Sequence, residues 1–161
     1  MENSANYYIE KLQLEKHPEG GWFREIYRSD DRIRTAIGER DAGTSIYYLL
    51  EGNDFSAFHR IKSDEIWHYY AGTGAVEILW IENGKLHAAK LGRNLERGEH
   101  LQLIIPKNCW FAARLPDTAS FALAGCTVAP GFCFDDFELA DQRILKEFPE
   151  LAGFIEVLLK K

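Results

Sequence analysis

From Trp22 to Val128 the chain alternates apolar and polar residues in short runs. Segments Trp22 to Arg28, Ser45 to Leu50, Phe55 to Ile61, Glu65 to Ala71, Ala75 to Ile81, Lys85 to Leu91, His100 to Ile105, Trp110 to Leu115 and Phe121 to Val128 are rich in Tyr, Phe, Trp, Ile and Val. Turn residues separate them, and this period of two predicts about nine strands. In VEILWIENGKLHAAKL, Asn83-Gly84 supplies the two positive-φ positions of a type I′ turn, so a hairpin is expected there. The spacing is helical only at the two ends. Ser4 suits the cap of a short helix with Tyr8, Ile9 and Leu12 on one face, stopped by Pro18, Gly20 and Gly21. In DQRILKEFPELAGFIEVLLKK, Ile144, Leu145 and Phe148, then Leu151, Phe154, Ile155, Leu158 and Leu159, recur at helical spacing, with Pro149 at the first turn of a second helix. Many short strands between turns argue for a sandwich or barrel and against a parallel sheet, with the terminal helices on the outside.

Composition narrows the class. A chain of 161 residues suits a single domain, residues 1–161, and 46% hydrophobic with 13% aromatic residues predicts a packed, ring-rich interior. The net charge of −6, without a Lys/Arg cluster, argues against nucleic acid as a partner. No basic segment leads into an apolar one at the N-terminus, and no apolar run is long enough to span a bilayer, so a soluble cytoplasmic protein without membrane contact is expected. Cys109, Cys126 and Cys133 are odd in number and lack C-x-x-C spacing, which suits buried thiols.

The chemistry concentrates in FHRIKSDEIWHYYAGTG. If Phe55 to Ile61 and Glu65 to Ala71 are adjacent antiparallel strands joined by Lys62-Ser63-Asp64, alternation puts His59, Ile61, Glu65, Trp67 and Tyr69 toward one interior. His68 then points the other way unless a bulge re-aims it. An imidazole held by a carboxylate acts as a general base near neutral pH, and His59 with Glu65 supplies that pair. Tyr69, or Tyr47 or Tyr48, can return the proton. Trp67, Tyr69, Trp110 and Phe111 form an aromatic wall that is either core or a platform for a sugar ring. In the early strand Phe23, Glu25 and Tyr27 share one face, and Trp22, Arg24 and Arg28 the other. Glu25 among rings is costly unless partnered, so it belongs at an edge or in the pocket. A plainer reading makes His59 a half-buried residue satisfied by one hydrogen bond and pairs Glu65 with Arg60 or Lys62. His17, His87 and His100 read as surface residues, and Asp135 and Asp136 as caps of a turn or helix.

Gly52, His59, Glu65 and Gly72 resemble the first motif of the cupin superfamily, with Ile61 in place of its second histidine. Pro106, Asn108 and Phe111 stand where the second motif has proline, glycine and histidine. The phrases HPEGGWFREIYRS, TSIYYLL, FHRIKSDEIWHYYAG and GCTVAPGFCFDDFELA resemble, over nearly the whole chain, cupin family five, a domain of unknown function similar in fold to sugar-nucleotide epimerases. The resemblance implies an all-β cupin jelly-roll (double-stranded β-helix) barrel with short terminal helices, a central pocket and a homodimer. A carbohydrate-like or nucleotide-linked small molecule is the expected ligand, contacted by Tyr48, Ile61, Trp67, His68, Phe111 and Glu25. A cupin metal site uses three imidazoles and a carboxylate, of which only His59 and Glu65 remain, so neither metal nor cofactor is expected. The leading expectation is a metal-independent isomerase or epimerase using His59, Glu65 and Tyr69. A non-catalytic binding protein and a metal-dependent cupin enzyme with a reduced ligand set stay open beside it.

Overall fold

The computed structural model describes residues 3–160. Its strands are β1 (Glu15–Lys16), β2 (Trp22–Arg28), β3 (Arg32–Thr35), β4 (Gly38–Asp41), β5 (Thr44–Glu51), β6 (Phe55–Arg60), β7 (Asp64–Gly72), β8 (Val76–Glu82), β9 (Lys85–Leu91), β10 (Gln102–Ile105), β11 (Trp110–Arg114), β12 (Phe121–Ala129) and β13 (Glu138–Leu139). Two antiparallel sheets face each other, ordered β1-β2-β5-β12-β7-β10 and β13-β6-β11-β8-β9, while β3 and β4 form a separate hairpin. Between the sheets, Tyr48, Leu50, Trp67, Ala124 and Cys126 of the first meet Ile78, Phe111 and Ala113 of the second. This is the jelly-roll implied by the cupin resemblance, and it satisfies the alternation because each sheet buries its period-two face against the other.

The helices cover the outer faces. In α1 (Ala5–Leu12), Ser4 Oγ accepts from Tyr7 N at 3.3 Å, and the helix lays Ala5, Tyr8, Ile9 and Leu12 on Leu49, Phe121 and Leu123. At the other end α2 (Arg143–Glu147), a 3₁₀ turn (Pro149–Leu151) and α3 (Ala152–Glu156) pack Ile144, Ile155, Leu158 and Leu159 on Phe58, Leu79, Ile81, Trp110 and Ala112. Among the described residues, no helix is long and apolar enough to cross a membrane.

Two expected arrangements are corrected. β6 and β7 are not hairpin partners: β6 pairs with β11 and β13, whereas β7 pairs with β12 and β10. Lys62-Ser63-Asp64 therefore carries the chain from one sheet across to the other. Because both inner faces bound the same interior, His59 and Glu65 still converge, one from each sheet. In β2 the pairing with β5 slips between Glu25 and Tyr27, so Ile26 is an extra residue. This bulge turns Arg28 to the side of Phe23 and Glu25, opposite to the strict alternation. Four short strands, β1, β3, β4 and β13, lie outside the expected nine. RIRT and GERD offer little apolar alternation to announce them.

The HPEGG turn is held firmly. His17 N donates to Gly21 O (3.0 Å), Ala57 N to Glu19 O (3.0 Å), and the Tyr48 hydroxyl to Gly20 O (2.5 Å). Gly20 has φ +114°, and a Cβ there would run into the Phe55 carbonyl oxygen. Only glycine lets the turn press this closely on β6.

Candidate functional site

Between the sheets lies a cavity of about 90 Å³. β6 contributes His59, β7 Glu65, β12 Cys126, the HPEGG turn His17 and Glu19, and β2 Phe23, Glu25 and Arg28. The bend after β12 adds Phe132, Phe134 and Phe137, and Ile61 lines the wall. Glu19, His59, Glu65 and Cys126 are buried, whereas Glu25, Arg28 and Phe134 are exposed and mark the open end.

The protons can be assigned from the acceptors. His59 Nδ1 lies 2.7 Å from Ala57 O, and a carbonyl only accepts, so Nδ1 carries hydrogen. Nε2 lies 3.1 Å from Glu19 Oε2, both side chains being almost inaccessible to solvent. The two groups then share one proton, either as imidazole facing a carboxylic acid or as imidazolium facing a carboxylate. Burial pushes the Glu19 carboxyl up and the His59 imidazole down, which favours the uncharged form. His17 Nδ1 accepts from Glu19 N at 3.1 Å, leaving its Nε2 as the N–H. Burial holds His17 below its ordinary value as well. Glu65 stands beside the Cys126 thiol, and loss of solvent pushes it up to about 7, against the opposing pull of His59. It therefore exchanges a proton near neutrality.

The predicted residues divide. His59, Glu65, Ile61 and Glu25 line the cavity. Phe111 does not, but stands behind His59 with ring centroids 4.1 Å apart. Tyr48 lies beneath the HPEGG turn, its hydroxyl used on Gly20. Trp67 is core, edge-on to Tyr48 at 5.4 Å and to Phe111 at 6.5 Å. Tyr69 packs against the inter-sheet core and donates to Gly74 O at 3.1 Å, so its phenol does not reach the cavity. His68 faces outward, as alternation requires, with Nε2 3.2 Å from Thr127 Oγ1 and its ring parallel to Tyr70. Asn108 has φ +66°, the left-handed conformation its cupin-motif position demands.

Sequence reasoning missed Glu19 and Arg28 and set His17 on the surface, where it is in fact half-buried and in the cavity wall. Glu19 sits in a glycine-rich turn, where no periodicity shows which way a side chain points. The available signal was a histidine and a glutamate spaced two apart in a tight turn. Arg28 is committed to Glu25 (2.9 and 2.8 Å), Asp41 (2.7 Å) and Phe132 O (3.0 Å). Asp136, expected as a cap, is buried and takes Arg40 by both oxygens (2.8 and 2.7 Å), fixing the β3–β4 hairpin to the bend that carries the phenylalanines.

The donor set does not fit a cupin metal. Ile61 and Phe111 occupy two of the ligand positions, and among the described residues no three His, Cys, Asp or Glu side chains stand together in a way that could hold an ion.

A jelly-roll with a cavity between its two sheets is the architecture of the cupins. The chain belongs to the family described as Cupin superfamily (DUF985), whose model matches residues 6–140. A hypothetical protein from Leishmania major superposes with TM-score 0.92 at 29% identity, covering 99% of this chain and 100% of that one. A crystal structure of a Shewanella oneidensis protein gives 0.89 at 37% identity, covering 98% of each. The uncharacterized protein YML079W of Saccharomyces cerevisiae is 29% identical over 149 residues, 83% of this chain and 74% of that protein. Oxalate decarboxylase of Bacillus subtilis shares the fold alone, with TM-score 0.56 and 15% identity over 89% of this chain and 36% of that one.

Proposed function

We propose that the cavity binds a small carbohydrate-like molecule and moves a proton on it without a metal, as an isomerase or epimerase does. The supporting observation is the meeting of Glu65 with the His59–Glu19 pair on one cavity, where burial pushes both carboxyls above the usual carboxylate range. Glu65, as carboxylate, takes the proton from a carbon next to a carbonyl. The His59–Glu19 pair delivers its shared proton to the carbonyl oxygen, giving an enediol. Glu65 then returns its proton to the neighbouring carbon while the pair takes back the proton of the other hydroxyl, which completes an isomerisation and resets both groups. Inversion at the first carbon requires instead that solvent deliver the proton to its opposite face and accept the one held by Glu65. The acid role expected of Tyr69 passes to this pair. The likeness to sugar-nucleotide epimerases in fold is consistent with the reading but supplies no chemistry.

The test is solvent exchange. Aldoses and ketoses are incubated with the protein in D₂O, and carbon-bound deuterium is followed by NMR. Exchange is expected from the native protein, unchanged by chelator, and about 10²- to 10⁴-fold slower in Glu65→Gln and His59→Ala, both still folded. Binding without exchange, weakened by His59→Ala, would replace this reading with that of a non-catalytic binding protein.

A further inference from the structure

The cavity has more negative than positive groups to offer a ligand. Glu19, Glu25 and Glu65 line it against a single guanidinium, Arg28. That cation is already matched, since Glu25 and Asp41 both hold it and the Phe132 carbonyl takes a further hydrogen. The imidazoles add no free charge: His17 accepts at Nδ1, and His59 with Glu19 is neutral as a unit. An entering carboxylate or phosphate would lose its hydration, find no uncommitted positive partner among the lining residues, the Lys160 ammonium being bound to the Pro18 carbonyl outside them, and face Glu65 across a low-dielectric space. An ammonium group meets the opposite situation. Its path passes Phe132, Phe134 and Phe137, packed edge to face with centroids 4.9 to 6.2 Å apart, whose π-faces attract cations. It then reaches the buried Glu65 carboxylate. The chain's net charge of −6 draws in the same sign of ligand.

We infer that the cavity selects a small hydroxylated molecule bearing a protonated amine and rejects anionic counterparts, which favours an amino-sugar type of substrate over a nucleotide-linked one. The inference rests on the cavity being the small-molecule site proposed above.

Ethanolamine, ethane-1,2-diol and glycolate test it, being of similar size and differing in charge. Each is titrated into the full-length protein in mildly alkaline buffer while the His17 and His59 imidazole resonances are followed by NMR. Ethanolamine is expected to bind about tenfold or more tighter than glycolate, with the diol between them. Glu65→Gln is expected to remove that advantage, and Arg28→Gln to preserve the order. Glycolate binding as well as ethanolamine, an order unchanged in Glu65→Gln, or no binding by any of the three would overturn the inference. Diol binding without charge preference, alongside deuterium exchange, would sink the charge rule and spare the isomerase reading. The expected order without exchange on any sugar would do the reverse.

Discussion

His59 Nε2 stands 3.1 Å from Glu19 Oε2, and both side chains are buried. With Nδ1 spent on the Ala57 carbonyl, the protonation of one residue dictates that of the other. Glu19→Gln breaks this coupling, because an amide donates to Nε2 but has no proton to give up. Deuterium exchange is expected to fall about 10²-fold or more while the circular dichroism spectrum stays native. An unchanged rate would place the acid elsewhere.

Glu65 gives stability a pH dependence of definite sign. In the native protein its carboxyl keeps its proton up to about pH 7, whereas the unfolded chain releases it near 4.5. Between these values the native state binds more protons, so this group lowers stability as pH rises, with the full penalty above 7 and none below 4.5. The gap corresponds to about 3 kcal/mol. Glu65→Gln is therefore expected to raise Tm at pH 8 and to change it little at pH 4. A variant less stable at both would show that the carboxylate is well solvated or paired.

Ile61 occupies the position of a cupin imidazole and lines the cavity near His59 and Glu65. Ile61→His would bring three protein ligands to one place, the usual minimum for a catalytic-type site. Added Zn²⁺ is expected to raise the Tm of this variant by several degrees and to leave the native protein's Tm unmoved. An equal shift in both would show that the native residues already suffice.

Asp136 anchors the bend that carries Phe134 and Phe137 by gripping Arg40 of β4. The contact holds Asp136 below the usual carboxylate range. Asp136→Asn keeps the volume and weakens the grip. Amide hydrogens of Asp136 and Phe137, bonded to Cys133 O and Phe134 O, are expected to exchange about tenfold faster, with those of β12 unaffected. Uniform acceleration across the sheet would mean that the ion pair supports the whole barrel.

Most of the barrel was legible in the chain because its strands are short apolar and aromatic runs set off by turn residues: Trp22–Arg28 and Lys85–Leu91 begin and end where the runs do. Asn83 and Gly84 take the positive φ their turn requires. What alternation does not carry is partnership between strands. Lys62-Ser63-Asp64 looks like any hairpin loop, yet it passes between sheets, a choice made by the whole topology. The site was half legible for the same reason. His59 and Glu65 sit on strands, where period fixes direction, whereas Glu19 sits on a turn whose conformation is set by Gly20 against Phe55 and by Tyr48. Arg28 was misplaced by one inserted residue, and Tyr69 was assigned the right face but lies too far along its strand.

That inserted residue, Ile26, has an outcome beyond its own strand. Deleting Ile26 would leave Tyr27 opposite Ser45 and Arg28 opposite Thr44 on their present faces, whereas drawing Ile26 into the ladder opposite Ser45 would swing Tyr27 toward the opening and Arg28 toward the outside, exchanging a salt-bridged cation for a phenol while leaving the inner acids untouched. The gatekeeping and the chemistry of this pocket are thus separable traits, one governed by strand register and the other by side-chain identity, and a lineage can retune what enters without rebuilding what happens inside.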